Sequence, residues 1–162
     1  MTDPEPGADP QVSEYRRGEF LVSTDPARLD IAAIHAFLTR SYWAKGVARE
    51  VVERSVRGSM AFGVYHHGRQ IGFARVITDR ATFGYLADVY LLEEFRGEGL
   101  GKWLVECIIA HPELSACRRL LLATRDAHGL YADCGFERIE DPARFMQIRR
   151  PGTYPAPAPP TA

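Results

Sequence analysis

Cysteine is scarce in this chain of 162 residues: Cys107, Cys117 and Cys134 are its three, an odd number with no Cys-x-x-Cys spacing. All three sit within apolar patterns, so buried free thiols are expected in place of disulfides or zinc ligands, and no metal is expected. That usage suits a reducing, cytoplasmic setting. Long apolar runs are missing too. None approaches the roughly 20 residues of a membrane span, and the opening MTDPEPGADPQ has neither the basic nor the apolar region of a secretory signal. An excess of charge is also absent: 20 Lys and Arg against 21 Asp and Glu leave a formal net charge of −1. No basic field for nucleic acid or anionic membrane follows from that balance, so any anion must be met locally.

What is present is 46% hydrophobic content, enough for one domain with a real core. Residues 1–18 and 151–162 are rich in proline, glycine or alanine and read as flexible tails around a folded unit at 19–150. That unit opens with a strand, EFLVS. Asp30 then caps a helix in which Ile31, Ile34, Phe37 and Leu38 repeat at helical spacing. After SYWAKG comes a second helix around AREVVERSV, with apolar Val51, Val52 and Val56 and a Glu50–Arg54 pair. MAFGVYH and RQIGFARVITD, separated by HHG, read as a hairpin in which His66 and His67 are turn residues only. TFGYLADVYLL is a longer strand.

From Leu100 the set Leu100, Trp103, Leu104, Cys107 and Ile108 predicts a helix ending before Pro112. RRLLLAT then reads as a buried strand. Asp126 is expected to cap the short helix DAHGLYADC, Gly135 to end it, and FERI and RFMQIR to follow as strands. No internal repeat is found.

The stretch FRGEGLGKWL, residues 95–104, joins a strand to a helix and holds three glycines between Arg96 and Lys102. Bare backbone N–H groups and the positive end of a helix dipole converge at such a turn, which makes it an anion site. A Walker A loop is excluded, because Arg96 stands where its first glycine belongs and Trp103 follows Lys102. A Gly-x-Gly-x-x-Gly fingerprint fails as well: counted from Gly97 its third position is Lys102, and from Gly99 it is Leu104. Arg96-Gly97-Glu98-Gly99-Leu100-Gly101 instead resembles the Arg/Gln-x-x-Gly-x-Gly/Ala signature of the GNAT superfamily of acyl-CoA N-acyltransferases.

The resemblance extends over residues 20–148. It implies an α/β (α+β) fold with a central mixed, mostly antiparallel sheet of six to seven strands, splayed between the fourth and fifth and flanked by about four helices. It also implies acetyl-CoA as acyl donor, with the amides of Gly97 through Lys102 around the pyrophosphate and Arg96 and Lys102 adding charge. LADVYLLEEFRG resembles the strand before that loop, where backbone groups at Val89, Tyr90 and Leu91 would bind pantetheine and the thioester carbonyl. Glu93 stands where the family often has proline. Thr124 stands where many members carry a pantetheine-binding asparagine, and its hydroxyl replaces only part of that bonding. Leu130-Tyr131-Ala132-Asp133-Cys134-Gly135-Phe136 resembles the family's Leu-Tyr-x-x-x-Gly-Phe, whose tyrosine lies near the coenzyme sulfur.

Acyl transfer to an amine of pKa about 10 needs a proton acceptor, a site for the oxyanion and an acid for the leaving thiolate. The resemblance makes Tyr131 the general acid, with packing against Phe136 as the competing reading. Leu91 N–H would hold the oxyanion. Asp88 is a carboxylate inside an apolar strand and needs a reason to be there. It is read as base, as binder of the substrate ammonium, or as partner of Arg75. His128 lies one turn before Tyr131, and Tyr42 and Trp43 fall where the family's acceptor pocket is walled. Cys134 has no neighbouring histidine to activate it, which disfavours a covalent route.

The resulting expectation is direct transfer of an acetyl group to a primary amine of a small molecule or peptide, in a ternary complex. A non-catalytic acyl-CoA sensor is the alternative. No nucleic-acid or membrane partner is expected, and the family often forms homodimers.

Overall fold

Near-continuous apolar runs through MAFGVYH and RQIGFARVIT build the centre of a sheet covered on both faces. In the computed structural model, which describes residues 11–154, β3 (Met60–His66) and β4 (Arg69–Thr78) form the expected hairpin. His67 and Gly68 close it with φ of 48° and 79°, the positive pair that matches the twist of a tight hairpin. β5 (Phe83–Leu91) pairs antiparallel with β4. β2 (Phe20–Ser23) flanks β3, and β1 (Glu14–Arg17) flanks β2. β6 (Arg119–Leu121) runs parallel to the start of β5 and completes a six-stranded sheet ordered β1 to β6. This is the mixed, mostly antiparallel sheet anticipated, with the splay lying between β5 and β6 once β1 is counted.

Alternation sends side chains to two faces, and each face carries helices. Phe62, Val64, Ile71 and Val76 point toward α3 (Leu100–Ala110) and pack on its Leu104, Cys107 and Ile108. Ala61, Phe73 and Tyr90 point the other way, onto α1 (Ile31–Leu38) and α2 (Arg49–Arg57) through Ile34, Leu38, Val52 and Val56. Asp30 caps α1 as expected, its Oδ1 accepting from Ala33 N at 2.9 Å. On α2 the ion pair is Arg49–Glu53 at 3.0 Å, in place of the expected Glu50–Arg54. α4 (Pro112–Ser115) follows α3 directly, and α5 (His128–Asp133) packs beside α3. No helix among the described residues is long and apolar enough to cross a membrane.

The chain departs from expectation at both ends. Glu14–Arg17, assigned to the N-terminal tail, form β1. Only Tyr15 of the four is part-buried and packs on the core, so the strand has almost no apolar signature. Pairing with β2, the bond from Ser13 N to Thr24 Oγ1 at 2.8 Å and the Arg28–Glu14 ion pair hold it instead. FERI and RFMQIR do not form strands. Residues 137–150 are exposed throughout, with Met146 at 98% and Ile148 at 82%. Strand propensity is realised only against a partner edge, and β6 offers three residues of one. The remaining parts of the expected tails, 1–10 and 155–162, lie outside the described residues.

Candidate active site

The ladder between β5 and β6 ends at Tyr85↔Leu121. Beyond it the two strands diverge, and a cleft of about 610 Å³ opens between Ala87, Asp88 and Val89 on one side and Leu122, Ala123 and Thr124 on the other. A bulge produces part of this divergence. Phe73 faces Tyr90 while Arg75 faces Ala87, so Asp88 and Val89 together oppose Ala74 alone. Asp88 takes φ of 55°, a left-handed conformation that costs a non-glycine residue on the order of 1–2 kcal/mol.

The surrounding contacts hold Asp88 there. Its Oδ2 accepts from Arg75 Nε at 2.5 Å and its Oδ1 from Trp43 Nε1 at 3.0 Å, while Arg75 Nη1 donates to Ser59 Oγ at 3.0 Å. Of the three sequence-based readings of Asp88, the partnership with Arg75 is the contact formed. Tyr42 and Trp43 wall the cleft, with Arg125 stacked 3.9 Å from the Tyr42 ring centre.

The far end of β5 leads to the glycine loop. Leu92 N–H is spent on Ile71 O at 2.8 Å. Backbone groups alternate between the two edges of a strand, so Leu91 N–H and C=O are directed to the edge that β6 has left. Arg96 Nε donates to that Leu91 carbonyl at 3.1 Å, tying the loop to the strand end. Tyr90 and Leu91 keep their side chains buried, the Tyr90 ring stacked on Phe37 at 3.7 Å. What Leu91 presents to the cleft side is therefore backbone, whereas the N–H and C=O of Tyr90 face Phe73 on β4.

Gly97 and Gly99 have φ of 84° and 74°, and Gly99 is the N-cap of α3 with no side chain capping the helix. The first amides of α3 are thus left for water or an anion. Gly97, Glu98, Gly99 and Lys102 are exposed, Leu100 is buried in the core and Gly101 is half-buried. A Cβ on Gly97 would meet nothing within 4 Å, so this glycine serves the backbone angle. A Cβ on Gly101 would lie 3.3 Å from Leu130, so that glycine lets α5 approach α3. Arg17, from β1, donates to Gly99 O at 3.3 Å and adds a second guanidinium beside the loop.

Tyr131, on α5, lines the cleft. Burial first, then the neighbouring Tyr42 and Cys134, push its pKa up to about 12. It also makes the edge-to-face contact with Phe136, at 5.8 Å between ring centres. Thr124 lines the cleft too, and its Oγ1 accepts from Ala127 N at 3.1 Å. α5 starts from Ala127 with no side chain capping it, and Asp126, expected to cap it, pairs with Arg125 instead. Gly135, at φ of 92°, ends α5 as expected. His128 is exposed at the start of α5 and is not among the residues lining the cleft. Cys134 is half-buried, and burial and Glu106 raise its thiol pKa against the opposing pull of Lys102.

Sequence reasoning missed Arg17, Arg125, Tyr85 and Tyr154 as neighbours of the loop or cleft. None belongs to a motif; Tyr85 and Arg125 are chain neighbours of cleft residues, whereas Arg17 and Tyr154 are brought near only by folding. A second hollow of about 480 Å³, lined by Thr24, Leu29, Val56, Met60 and His111, holds neither the glycine loop nor any of the anticipated site residues.

The chain that carries this glycine loop, open strand edge and tyrosine-lined cleft is similar to known proteins in sequence and fold. Residues 57–138 match the acetyltransferase (GNAT) domain. A Gibberella zeae protein described as a "putative acetyltransferase" is 36% identical over 141 residues, covering 72% of this chain and 78% of its own length. Aminoglycoside N(6')-acetyltransferase type 1 of Stenotrophomonas maltophilia is 29% identical over 96 residues, 52% of this chain and 61% of that protein. A solved GNAT-family structure from Xanthomonas campestris, also described as a "putative acetyltransferase", superposes with a TM-score of 0.80 at 44% identity. It covers 91% of this chain and 99% of its own. The chain belongs to the GNAT family of acetyltransferases.

Proposed function

We propose that this acetyltransferase is an N-acetyltransferase, using acetyl-CoA to acetylate a primary amine of a small molecule or peptide directly within a ternary complex. The observation that carries this reading is the uncapped, glycine-bared start of α3 leading along the open edge of β5 into a cleft that contains Tyr131. The aminoglycoside N-acetyltransferase relative supports an amine as acceptor.

The residues present fit the coenzyme. The amides of Gly97 through Lys102 would take its pyrophosphate, with Arg96, Lys102 and Arg17 supplying charge. Of Val89, Tyr90 and Leu91, the backbone of Val89 and Leu91 would pair with pantetheine as a peptide pairs with a sheet edge, while that of Tyr90 is turned to β4. Thr124 retains a hydroxyl proton to donate. When bound, the coenzyme supplies an activated thioester.

In this reading Leu91 N–H holds the developing negative charge on the carbonyl oxygen. Tyr131, raised to about 12, stays protonated across the working range. A thiol has a pKa near 8.5, so complete transfer from Tyr131 is uphill by about 5 kcal/mol. Tyr131 therefore acts by donating a hydrogen bond to the departing sulfur, which leaves as the thiolate, while the proton lost by the amine passes to solvent water in the cleft. Asp88 is a positioning residue that holds the bulge, because Arg75 and Trp43 already occupy its oxygens. Tyr42 and Trp43 shape the acceptor side. His128, exposed and outside the cleft's lining, is given no role. Cys134 is held as a thiol, which supports direct transfer over an acyl-cysteine route.

The test is turnover of acetyl-CoA against an amine library, with products read by mass spectrometry. Tyr131→Phe is expected to lower kcat about 100-fold or more while coenzyme binding persists. Binding of acetyl-CoA without turnover on any amine would favour a sensor.

A further inference from the structure

At the end of the sheet where β5 runs into the glycine loop, but on the side of β2 and β3, two turns bring Glu19, His66 and His67 together. Phe20 pairs with His66 across β2 and β3, so the chain just before Phe20 lies alongside the chain just after His66. Glu19 Oε2 is 3.6 Å from His66 Nε2 and 3.5 Å from His67 Nε2, and one ligand atom from each residue lies within 4.8 Å of the others.

A tetrahedral zinc with bonds of about 2.0–2.2 Å places neighbouring ligand atoms about 3.4 Å apart. Both gaps to Glu19 are within a few tenths of an ångström of that edge, and rotation of the exposed His67 ring closes the remaining His66–His67 gap. His66 is already oriented: its ring stacks on Phe20 at 4.8 Å and meets Phe95 edge-on at 5.4 Å. His67 and Glu19 face solvent, at 64% and 68% side-chain exposure, which leaves the fourth position to water.

We propose that Glu19, His66 and His67 form a divalent transition-metal site, filled by zinc in preference to magnesium or calcium. Two imidazoles and one carboxylate are the donor set for zinc, nickel or copper, whereas calcium and magnesium take oxygen ligands. The ion would staple the β1–β2 turn to the β3–β4 turn. Arg17 ends β1 two residues before Glu19, and Phe95 precedes the glycine loop, so the staple braces the support of the loop from outside. The site stands apart from the acetyl-transfer reading and does not depend on it.

The experiment uses the full chain, free of any affinity tag and stripped with chelator, titrated with zinc by calorimetry and with cobalt by visible absorption. The expected result is one equivalent per chain, a cobalt spectrum without thiolate charge transfer, and a thermal midpoint that rises on adding zinc. Loss of a partner one step beyond the ligands already costs a metal site about 10-fold to 100-fold in affinity. Glu19→Gln and His67→Asn should each lose at least that lower figure and the zinc-dependent thermal shift. Asparagine tolerates the left-handed backbone at position 67, so the turn is kept while the ligand is removed. Cys134→Ser should leave the titration unchanged. No stoichiometric binding, binding unchanged in both Glu19→Gln and His67→Asn, or binding lost in Cys134→Ser would each overturn the site.

Discussion

Asp88 combines a left-handed backbone with a side chain that bonds Arg75 and Trp43. If it positions the bulge, Asp88→Asn leaves a largely buried Arg75 without its counter-charge, with a stability loss of about 1–3 kcal/mol. Pairing it with Arg75→Gln should restore most of that stability and much of the kcat, with the acid limb of the kcat/KM profile still present. Denaturant unfolding and pH profiles of the single and double variants check this.

Asp79 is a residue-level device of a different kind. Its carboxylate accepts from Thr82 Oγ1 and from the amides of Ala81, Thr82 and Phe83, and these bonds hold its pKa well below the ordinary aspartate value. A depressed folded-state pKa means stability that is present above about pH 3.9 and lost as pH falls through the folded value. The melting temperature of Asp79→Ala should therefore lie below wild type at neutral pH and converge with it in acid.

At the scale of elements, the β1–β2 hairpin reaches across to the glycine loop through Arg17. Exposed charge contacts of this kind are worth up to about 1 kcal/mol, so Arg17→Ala is expected to raise KM for acetyl-CoA about two- to five-fold and leave kcat unchanged. Steady-state kinetics with varied coenzyme decides it. Elements differed in how legible they were. The α3 helix was readable because Leu100, Leu104, Cys107 and Ile108 repeat on one face. The β1 strand was not, since three of its four residues face solvent and its stability comes from a neighbour's edge. RRLLLAT was readable as a strand but not in extent, because pairing stops where the cleft begins.

For the whole molecule, the contrast lies between a sheet with helices on both faces and an exposed C-terminal segment. Limited proteolysis is expected to cut first within residues 137–150, where every residue is exposed, while the sheet through β6 survives. Mass spectrometry of the early fragments checks the order of cleavage.

Local pattern alone determined most of the helices and strands, the hairpin turn at His67–Gly68, and the glycine loop that resembles a coenzyme site. Those signals depend on periodicity and on backbone angles, which neighbouring residues in the chain dictate. Only the tertiary structure decided that Asp88 pairs with Arg75, that Arg17 and Arg125 stand beside the loop and cleft, that His128 stays outside, and that Glu19 meets two histidines. Each of these is a meeting of side chains distant in sequence, or on different elements, and it is set by strand register and packing, which no local pattern contains.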